Sequence, residues 1–513
     1  MLRRISPLLL LAAGCAALAP RASAAAPPAR PNVLFIAVDD LNDWVLDNDR
    51  GIRAPNLERL MARGVAFVNA HCASPSCHPS RLAVLTGVRP STSGIDHNVY
   101  SRPAASWRTG PDSGTGALAR AVVLPQHFRA HGWRAAGTGK IFHGLQWVDG
   151  SENEPGAWDA YFPSALDQIP PQVRPDDWIE DAAAGIAGAR PLGGGLGRRG
   201  QVFGAHPLRV PDTAMSDAQV ADWAIAQLSA ARGAQPLFLA VGFFRPHMPW
   251  EVPQKYFDLY PLAGIRRPAV RADDLADTHG HDRVPWHEWV LANEEKFEMW
   301  ERLIQGYQAS ITFMDAQLGR VLDALDASPA AANTLIALWS DHGMHFGEKQ
   351  NWEKFTLWER STHVPLILAG PGVPRGGRVA SPASLVDLYP TLCELAGLPV
   401  PAQCEGTSLV AQLREPSAPR EAPAITTQTM GRQSGHAVRD ARWRYIRYFD
   451  GFEELYDHIA DPNEFTNLAD DPAFAAEKRR LRGWLEKIHA PLDGQYPGVA
   501  APPAKKAAKK KSG

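Results

Sequence analysis

Several long apolar runs in this chain show no polar alternation, and each ends abruptly in charged residues. Asn32 to Val38, Pro236 to Phe244 and Asn333 to Ser340 have this form, which predicts strands covered on both faces. Helical spacing lies between them: Pro55 to Gly64 with proline at its start and glycine at its end, then 117–130, 217–232, a long stretch over 293–326, and 387–397. A short strand at 134–138 and another at 364–372 complete the alternation. The pattern predicts an α/β fold with a doubly wound, mostly parallel sheet. Beyond residue 419 it changes to short strands (Ala437 to Arg439, Trp443 to Tyr448, Glu454 to Asp457) and a last helix over 472–489, a smaller C-terminal α+β subdomain. Residues 145–211 and 251–289 show little periodicity and read as loops at a pocket rim.

The polar residues that end these runs are chemically alike. Asp39-Asp40 follows the first strand, Gly139-Lys140 with His143 the next, Arg245-Pro246-His247 a third and Asp341-His342-Gly343 a fourth, with Lys354 not far beyond. In open α/β sheets, ligands gather outside the carboxyl ends of the strands, so these residues are candidates for one pocket. Adjacent carboxylates repel unless a cation lies between them, which favours a hard divalent ion. Zinc is the weaker reading: neither Cys72, Cys77 and His78 nor Asp341, His342 and His345 is joined by a familiar second ligand pair, and carboxylates outnumber nitrogens.

Cys77-His78-Pro79-Ser80-Arg81 opens a further helix that runs to Thr86-Gly87. A cysteine at a helix N-terminus stands where free N–H groups favour an anion, and Arg81 adds a cation one turn on. A cysteine phosphatase would need His-Cys, five residues, then Arg; counting from His71-Cys72 reaches His78 instead.

Composition narrows the class. With 53 Lys plus Arg against 55 Asp plus Glu in 513 residues, the net charge of −2 predicts neither nucleic-acid binding nor adhesion to an anionic membrane. Residues 1–24 combine Arg3 and Arg4, an apolar stretch and Ala22-Ser23-Ala24, the form of a cleaved signal peptide, so the mature protein is expected to be exported, periplasmic or secreted. No apolar stretch is long enough for a transmembrane segment. Ala12-Ala13-Gly14-Cys15 loosely resembles a lipoprotein box but lacks its aliphatic residue, which leaves a lipid anchor at Cys15 as the lesser alternative. Residues 496–513 form a Lys-rich tail that reads as disordered.

Cys77-x-Pro79-x-Arg81, followed after four residues by Thr86-Gly87, closely resembles the signature of the type I sulfatases, whose cysteine is oxidised to formylglycine. The other clusters follow in the family's order, including Glu454-Leu455-Tyr456-Asp457 and Asp461-Pro462-Asn463-Glu464. Asp341-His342, Lys140-x-x-His143 and Pro246-His247-x-Pro249 are most similar to the iduronate-2-sulfatase branch, which carries Lys where this chain has Arg245. The resemblance implies an alkaline-phosphatase-like catalytic domain over 25–419, a subdomain over 420–495, and a calcium ion held by Asp39, Asp40, Asp341, His342 and the modified Cys77. It implies hydrolysis of a sulfated, glycosaminoglycan-like or algal sugar by a hydrated aldehyde. In it Arg81 steadies the diolate, Lys140 and Lys354 clamp sulfate, His143 acts as base, and His247 is the acid for the leaving oxygen. It also implies a formylglycine-generating enzyme as maturation partner. With Cys77 modified, Cys393 and Cys404 become the candidate disulfide of an oxidising compartment, and Cys72 a buried thiol. Two other readings remain: a phosphodiester or phosphonate monoester hydrolase on the same scaffold, and a non-catalytic polyanion-binding protein whose Cys77 is never converted.

Overall fold

A computed structural model describes residues 30–98, 106–109, 113–143, 156–162, 204–230, 235–281 and 286–496. The segment expected to be a signal peptide, Cys15, residues 497–513 where the Lys-rich tail is expected, and most of residues 145–211 lie outside them.

Strand β1 (Asn32–Val38) shows why the apolar runs carry no alternation. Leu34, Ile36 and Val38 point into one core, and Val33, Phe35 and Ala37 into a second on the opposite face. A strand with a core on each side has no wet face to mark with polar residues. The 28-residue helix Met299–Asp326 covers the first face with Leu303, Tyr307, Ile311, Met314 and Leu318. Leu388–Ala396 covers the second together with Val84 and Leu85 of the Cys77–Thr86 helix.

The main sheet also contains β2 (Gly64–His71), β3 (Arg134–Gly139), β4 (Ala160–Phe162), β6 (Leu237–Phe243), β8 (Thr334–Ser340), β9 (His363–Ala369), β10 (Gly377–Val379) and β11 (Ala383–Ser384). Among the described residues its order is β10-β2-β9-β8-β1-β6-β3-β4, with β11 also on β2. β5 (Ala205–Leu208) and β7 (Trp250–Pro253) form a separate parallel pair. Among the described strands of this sheet only β9 runs against its neighbours, β2 and β8. No crossover helix carries the chain back after β8: residues 341–362 loop over the strand ends and re-enter from the same side, so β9 has to be antiparallel. The C-terminal subdomain is an antiparallel sheet of β12 (Ala424–Gln428), β13 (Gly435–Arg439), β14 (Trp443–Tyr448) and β15 (Glu453–Asp457), packed on the helix Ala475–Lys487.

The structure differs from the sequence reading in detail. The 293–326 helix is two helices, Trp286–Phe297 and Met299–Asp326, broken at Glu298 with φ 47°. The helix expected over 117–130 is confined to Leu124–Ala130, where Pro125 sets its first turn. β2, β5, β7 and β12 were not separable from loops by pattern.

Four parallel neighbours, β8-β1-β6-β3, finish in register, with Val38 beside both Ser340 and Phe243 and Gly139 beside Gly242. Their next residues stay tied: Asp39 N–H donates to the Phe243 carbonyl, Asp341 N–H to Val38 and Lys140 N–H to Gly242. Gly139 turns the chain at φ +71°, and a β-carbon there would meet the Gly242 oxygen at 2.0 Å, so only glycine admits this close approach.

Candidate active site

The helix Cys77–Thr86 begins after Ser76, which is extended, and ends on Gly87 in the left-handed region, whose N–H donates to Ala83. All ten of its residues are buried, so it is fixed in the core and not exposed as an ordinary surface helix. Cys77 Sγ lies 3.2 Å from His342 Nε2 and 3.5 Å from Lys354 Nζ, and His143 also hydrogen-bonds to it. Burial alone would raise this thiol; Lys140, Lys354 and His342 outweigh it and hold the group well below the ordinary thiol range.

Three buried carboxylates face three buried cations beside the sulfur. Arg81 bridges two of the acids, with Nη2 3.1 Å from Asp39 Oδ1 and Nε 2.8 Å from Asp341 Oδ2. Lys140 pairs with the other Asp39 oxygen, and Lys354 Nζ lies 2.5 Å from Asp40 Oδ1. Asp40 sits at φ 62°, a conformation costly for a residue with a β-carbon. Its N–H donates to Asp341 Oδ1 at 3.1 Å and its carbonyl accepts from Tyr307 at 2.8 Å, which hold the turn. Ser80 Oγ donates to the Asp341 carbonyl at 2.6 Å, tying the nucleophile helix to the end of β8. Burial would raise Asp39, but Lys140 and Arg81 hold it far below the carboxylate range. For Asp341 burial wins over Arg81 and pushes the acid up to about 7. His342 goes the other way: Asp341 overcomes burial and raises it to about 9.

Asp40 Oδ2 has no hydrogen-bond partner although it is fully buried. Donor atoms of Asp39, Cys77, Asp341 and His342 lie within 4.8 Å of one another, and Asp40, Cys77 and His247 form a second such group. An unpartnered buried carboxylate oxygen among converging acids is what a cation site requires, so the residues fit a divalent ion. With the thiol intact, the sulfur and imidazole would suit zinc; with the sulfur replaced by oxygen, three carboxylates dominate and a hard ion is favoured.

His247 closes one side of the cleft above Cys77. Its Nδ1 donates to the Met248 carbonyl at 2.5 Å, which leaves Nε2, 3.9 Å from Asp40 Oδ2, as the nitrogen facing the site. Asn98, His143, Glu353 and Lys354 line the same cleft. Every site residue expected from sequence is therefore in one place: Asp39, Asp40, Cys77, Arg81, Lys140, His143, His247, Asp341, His342 and Lys354. Sequence reasoning missed Asn98, which accepts from His78 N–H at 2.8 Å, and also Tyr307 and Glu353. Tyr307 reads as an ordinary core position of an amphipathic helix, and Asn98 carries no local signal at all. Only Glu353 had one, as the neighbour of Lys354.

Some expectations need correction. Cys393 and Cys404 do not pair; both are thiols. Cys393 is fully buried in Leu388–Ala396, and burial together with nearby Cys404 pushes it up to about 12. Cys404 packs against the same core and abuts Gly87, so the two are juxtaposed without a bond. His345, weighed as a zinc ligand, bonds Thr356 at 2.9 Å instead. Cys72 is buried, as expected.

Comparison with known proteins agrees with this geometry. A family model described as Sulfatase matches residues 31–398, and one described as N-sulphoglucosamine sulphohydrolase, C-terminal matches 347–491. A sulfatase of Formosa agariphila is 40% identical over 91% of this chain and 88% of its own. Iduronate 2-sulfatase of Mus musculus is 31% identical over 78% and 75%. The solved phosphonate monoester hydrolase of Agrobacterium radiobacter, 24% identical, shares the fold with TM-score 0.67 over 90% of this chain and 96% of its own. With the signature cysteine seated among the acids, lysines and histidines that the sequence pointed to, the chain belongs to the sulfatase family and is a sulfuric ester hydrolase.

Proposed function

We propose that this protein removes sulfate from a sulfated sugar of the glycosaminoglycan or algal kind, using a formylglycine made from Cys77 and a calcium ion held by Asp39, Asp40, Asp341 and His342. The observation that carries this reading is the convergence of His143, His342 and Lys354 on the Cys77 sulfur, opposite three buried carboxylates of which one has an unpartnered oxygen. The hydrated aldehyde would supply the hydroxyl nucleophile, and calcium would polarise the sulfate's S–O bonds and stabilise the ionised hydroxyl.

The chain's own residues do the rest. Arg81, locked between Asp39 and Asp341, fixes both acids and lends positive charge to the nucleophile. Lys140 and Lys354 place two ammonium groups where sulfate oxygens would lie. His143, already bonded to the residue-77 side chain, is placed to take its proton. His247 presents Nε2 across the cleft and is placed to protonate the departing oxygen. Cys77 is only 1% exposed, so its conversion by a formylglycine-generating enzyme has to precede folding. Residues 1–24 support export as a signal peptide. Among the described residues no helix is long and apolar enough to cross a membrane. The sugar class rests on the likeness to iduronate 2-sulfatase and the motifs shared with it.

Leaving-group dependence tests the assignment. His247→Ala should cripple cleavage of an alkyl sulfate such as a sugar 2-sulfate, yet cost far less on an activated aryl sulfate whose phenolate leaves unaided. His143→Ala should slow both substrates after a single burst of alcohol release. Equal losses for His247→Ala on the two substrates would move the acid role to Lys354. Faster turnover of an aryl phosphodiester than of the aryl sulfate would favour the phosphonate-hydrolase reading instead.

A further inference from the structure

Arg245 stands at the end of β6, two residues before His247, yet it does not enter the cleft. Its side chain is 2% exposed and turns back into its own loop. Nη1 donates to the His247 carbonyl and Nε to the Glu251 carbonyl, each at 3.1 Å. One planar guanidinium thus spans both ends of the turn that carries His247. Further bonds hold the loop, two to Asp217 outside it and one within it. Asp217, at the start of the helix Ser216–Ala230, accepts from Phe244 N–H and Arg245 N–H at 2.9 Å each, and Trp250 Nε1 donates to the Pro246 carbonyl at 2.9 Å.

A buried acid lies on the same loop. Glu251 is fully buried and neither of its carboxylate oxygens has a hydrogen bond; burial pushes it up to about 7 against the pull of the Arg245 guanidinium. His247 Nδ1 in turn is bonded to a loop carbonyl, Met248 O, so the direction of Nε2 depends on the path of the 244–251 backbone.

We infer that Arg245 is a positioning residue for His247: by bonding the His247 and Glu251 carbonyls together it sets the loop so that Nε2 faces the cleft above Cys77. This rests on the reading of His247 as the acid, but the coupling of the two residues can be measured without it. It also gives a reason for arginine where the resembled branch has lysine, since a fork bonds two carbonyls at once and an ammonium is a point charge.

The test is a double-mutant cycle on the calcium-loaded, formylglycine-containing enzyme, using Arg245→Met, His247→Ala and the pair, each on a sugar sulfate and on an aryl sulfate. Arg245→Met should lower kcat on the sugar sulfate by roughly 10- to 100-fold, part of the roughly 10²- to 10⁴-fold that a well-placed general acid contributes, with KM and calcium content little changed. The double variant should be no slower than His247→Ala alone. Arg245→Lys, with its single ammonium, should recover part of the rate. Losses that multiply in the double variant, or equal rates for Arg245→Met and wild type, would overturn the inference. A cycle that is non-additive while His247→Ala hurts both substrates equally would support the positioning role and sink the acid role. If Arg245→Met does not fold, Arg245→Gln, which keeps one donor and loses the charge, carries the same cycle with the same outcomes.

Discussion

At the ends of β8, β1, β6 and β3 three carboxylates face three cations; where β13 and β14 meet the helix Glu359–Thr362, two glutamates face two arginines and two histidines, His363 and His458. Both clusters are buried, and both mix signs. At the second, Glu359 pairs with Arg444 and, at 3.1 Å, with Arg439, while Glu464 Oε1 lies 2.8 Å from Arg444 Nε and 3.1 Å from His458 Nε2. Burial would raise Glu359, but Arg439, His458 and Arg444 hold it well below the carboxylate range. That cluster joins the subdomain to the main sheet. The first differs in having an unpartnered carboxylate oxygen, a sulfur among its charges and an opening lined by His143 and His247. Buried charge alone therefore marks a junction as readily as a site. What distinguishes the site is ligand capacity left over after the internal pairs have formed.

The sharpest way to break this contrast is at residue 77. Enzyme matured with a formylglycine-generating enzyme should carry a residue-77 peptide about 18 Da lighter than the thiol form. Cys77→Ala should lower turnover by roughly 10⁴-fold or more while leaving the melting temperature nearly unchanged. An active preparation holding only unmodified cysteine would remove the nucleophile from the scheme. Next in size is the metal: Asp40→Asn should cost on the order of 10³-fold in turnover and most of the bound calcium. Wild type should also gain about 2.7 kcal/mol of stability at calcium a hundredfold above Kd, and the variant much less, as read by melts with and without chelator. Full activity in chelator-treated protein would refute the calcium role.

At the junction the expected effect is on stability and not on chemistry. Arg444→Met leaves two glutamates short of their charge and should cost about 3–5 kcal/mol in denaturant melts, with the kcat/KM of the folded fraction within about threefold of wild type. A large loss of kcat/KM there would join the two clusters functionally. The smallest effect is pH-dependent. His436, fully buried in β13, is lowered by burial from 6.5 to about 4. The unfolded chain then takes up the proton first, so this contribution is complete above pH 6.5 and is lost as pH falls to 4. It amounts to about 3 kcal/mol. His436→Gln should flatten the dependence of the urea midpoint between pH 7 and 4.5; an unchanged slope would place the acid sensitivity elsewhere.

Much of this site was legible in the chain because each ligand cluster directly follows an apolar run. Asp39-Asp40, Lys140, His247 and Asp341 are announced by the strands before them, and parallel strands place such ends on one edge. Cys77, Pro79 and Gly87 mark both ends of their helix by local chemistry alone. The strands without such marks, β2 and β12, were hidden because polar residues interrupt their runs, Asn69 in β2 and Thr426 and Thr427 in β12, and no charged cluster follows them.

Other features were decided only by packing. That β8, β1, β6 and β3 are adjacent and finish in register is a property of the sheet, and it alone puts Asp39 and Asp341 on either side of Arg81. Arg245 precedes Pro246-His247 and would pass for a pocket cation; its burial turns it toward two carbonyls of its own loop. With Cys77 modified, Cys393 and Cys404 read as the candidate bridge of an oxidising compartment, but the structure holds them as neighbouring thiols. Sequence fixes which residue types each strand end and helix start presents, since propensity and capping act within a few residues. Which of those groups meet, and which are left with a free oxygen, is settled by contacts hundreds of residues apart, because only the packed sheet sets those distances.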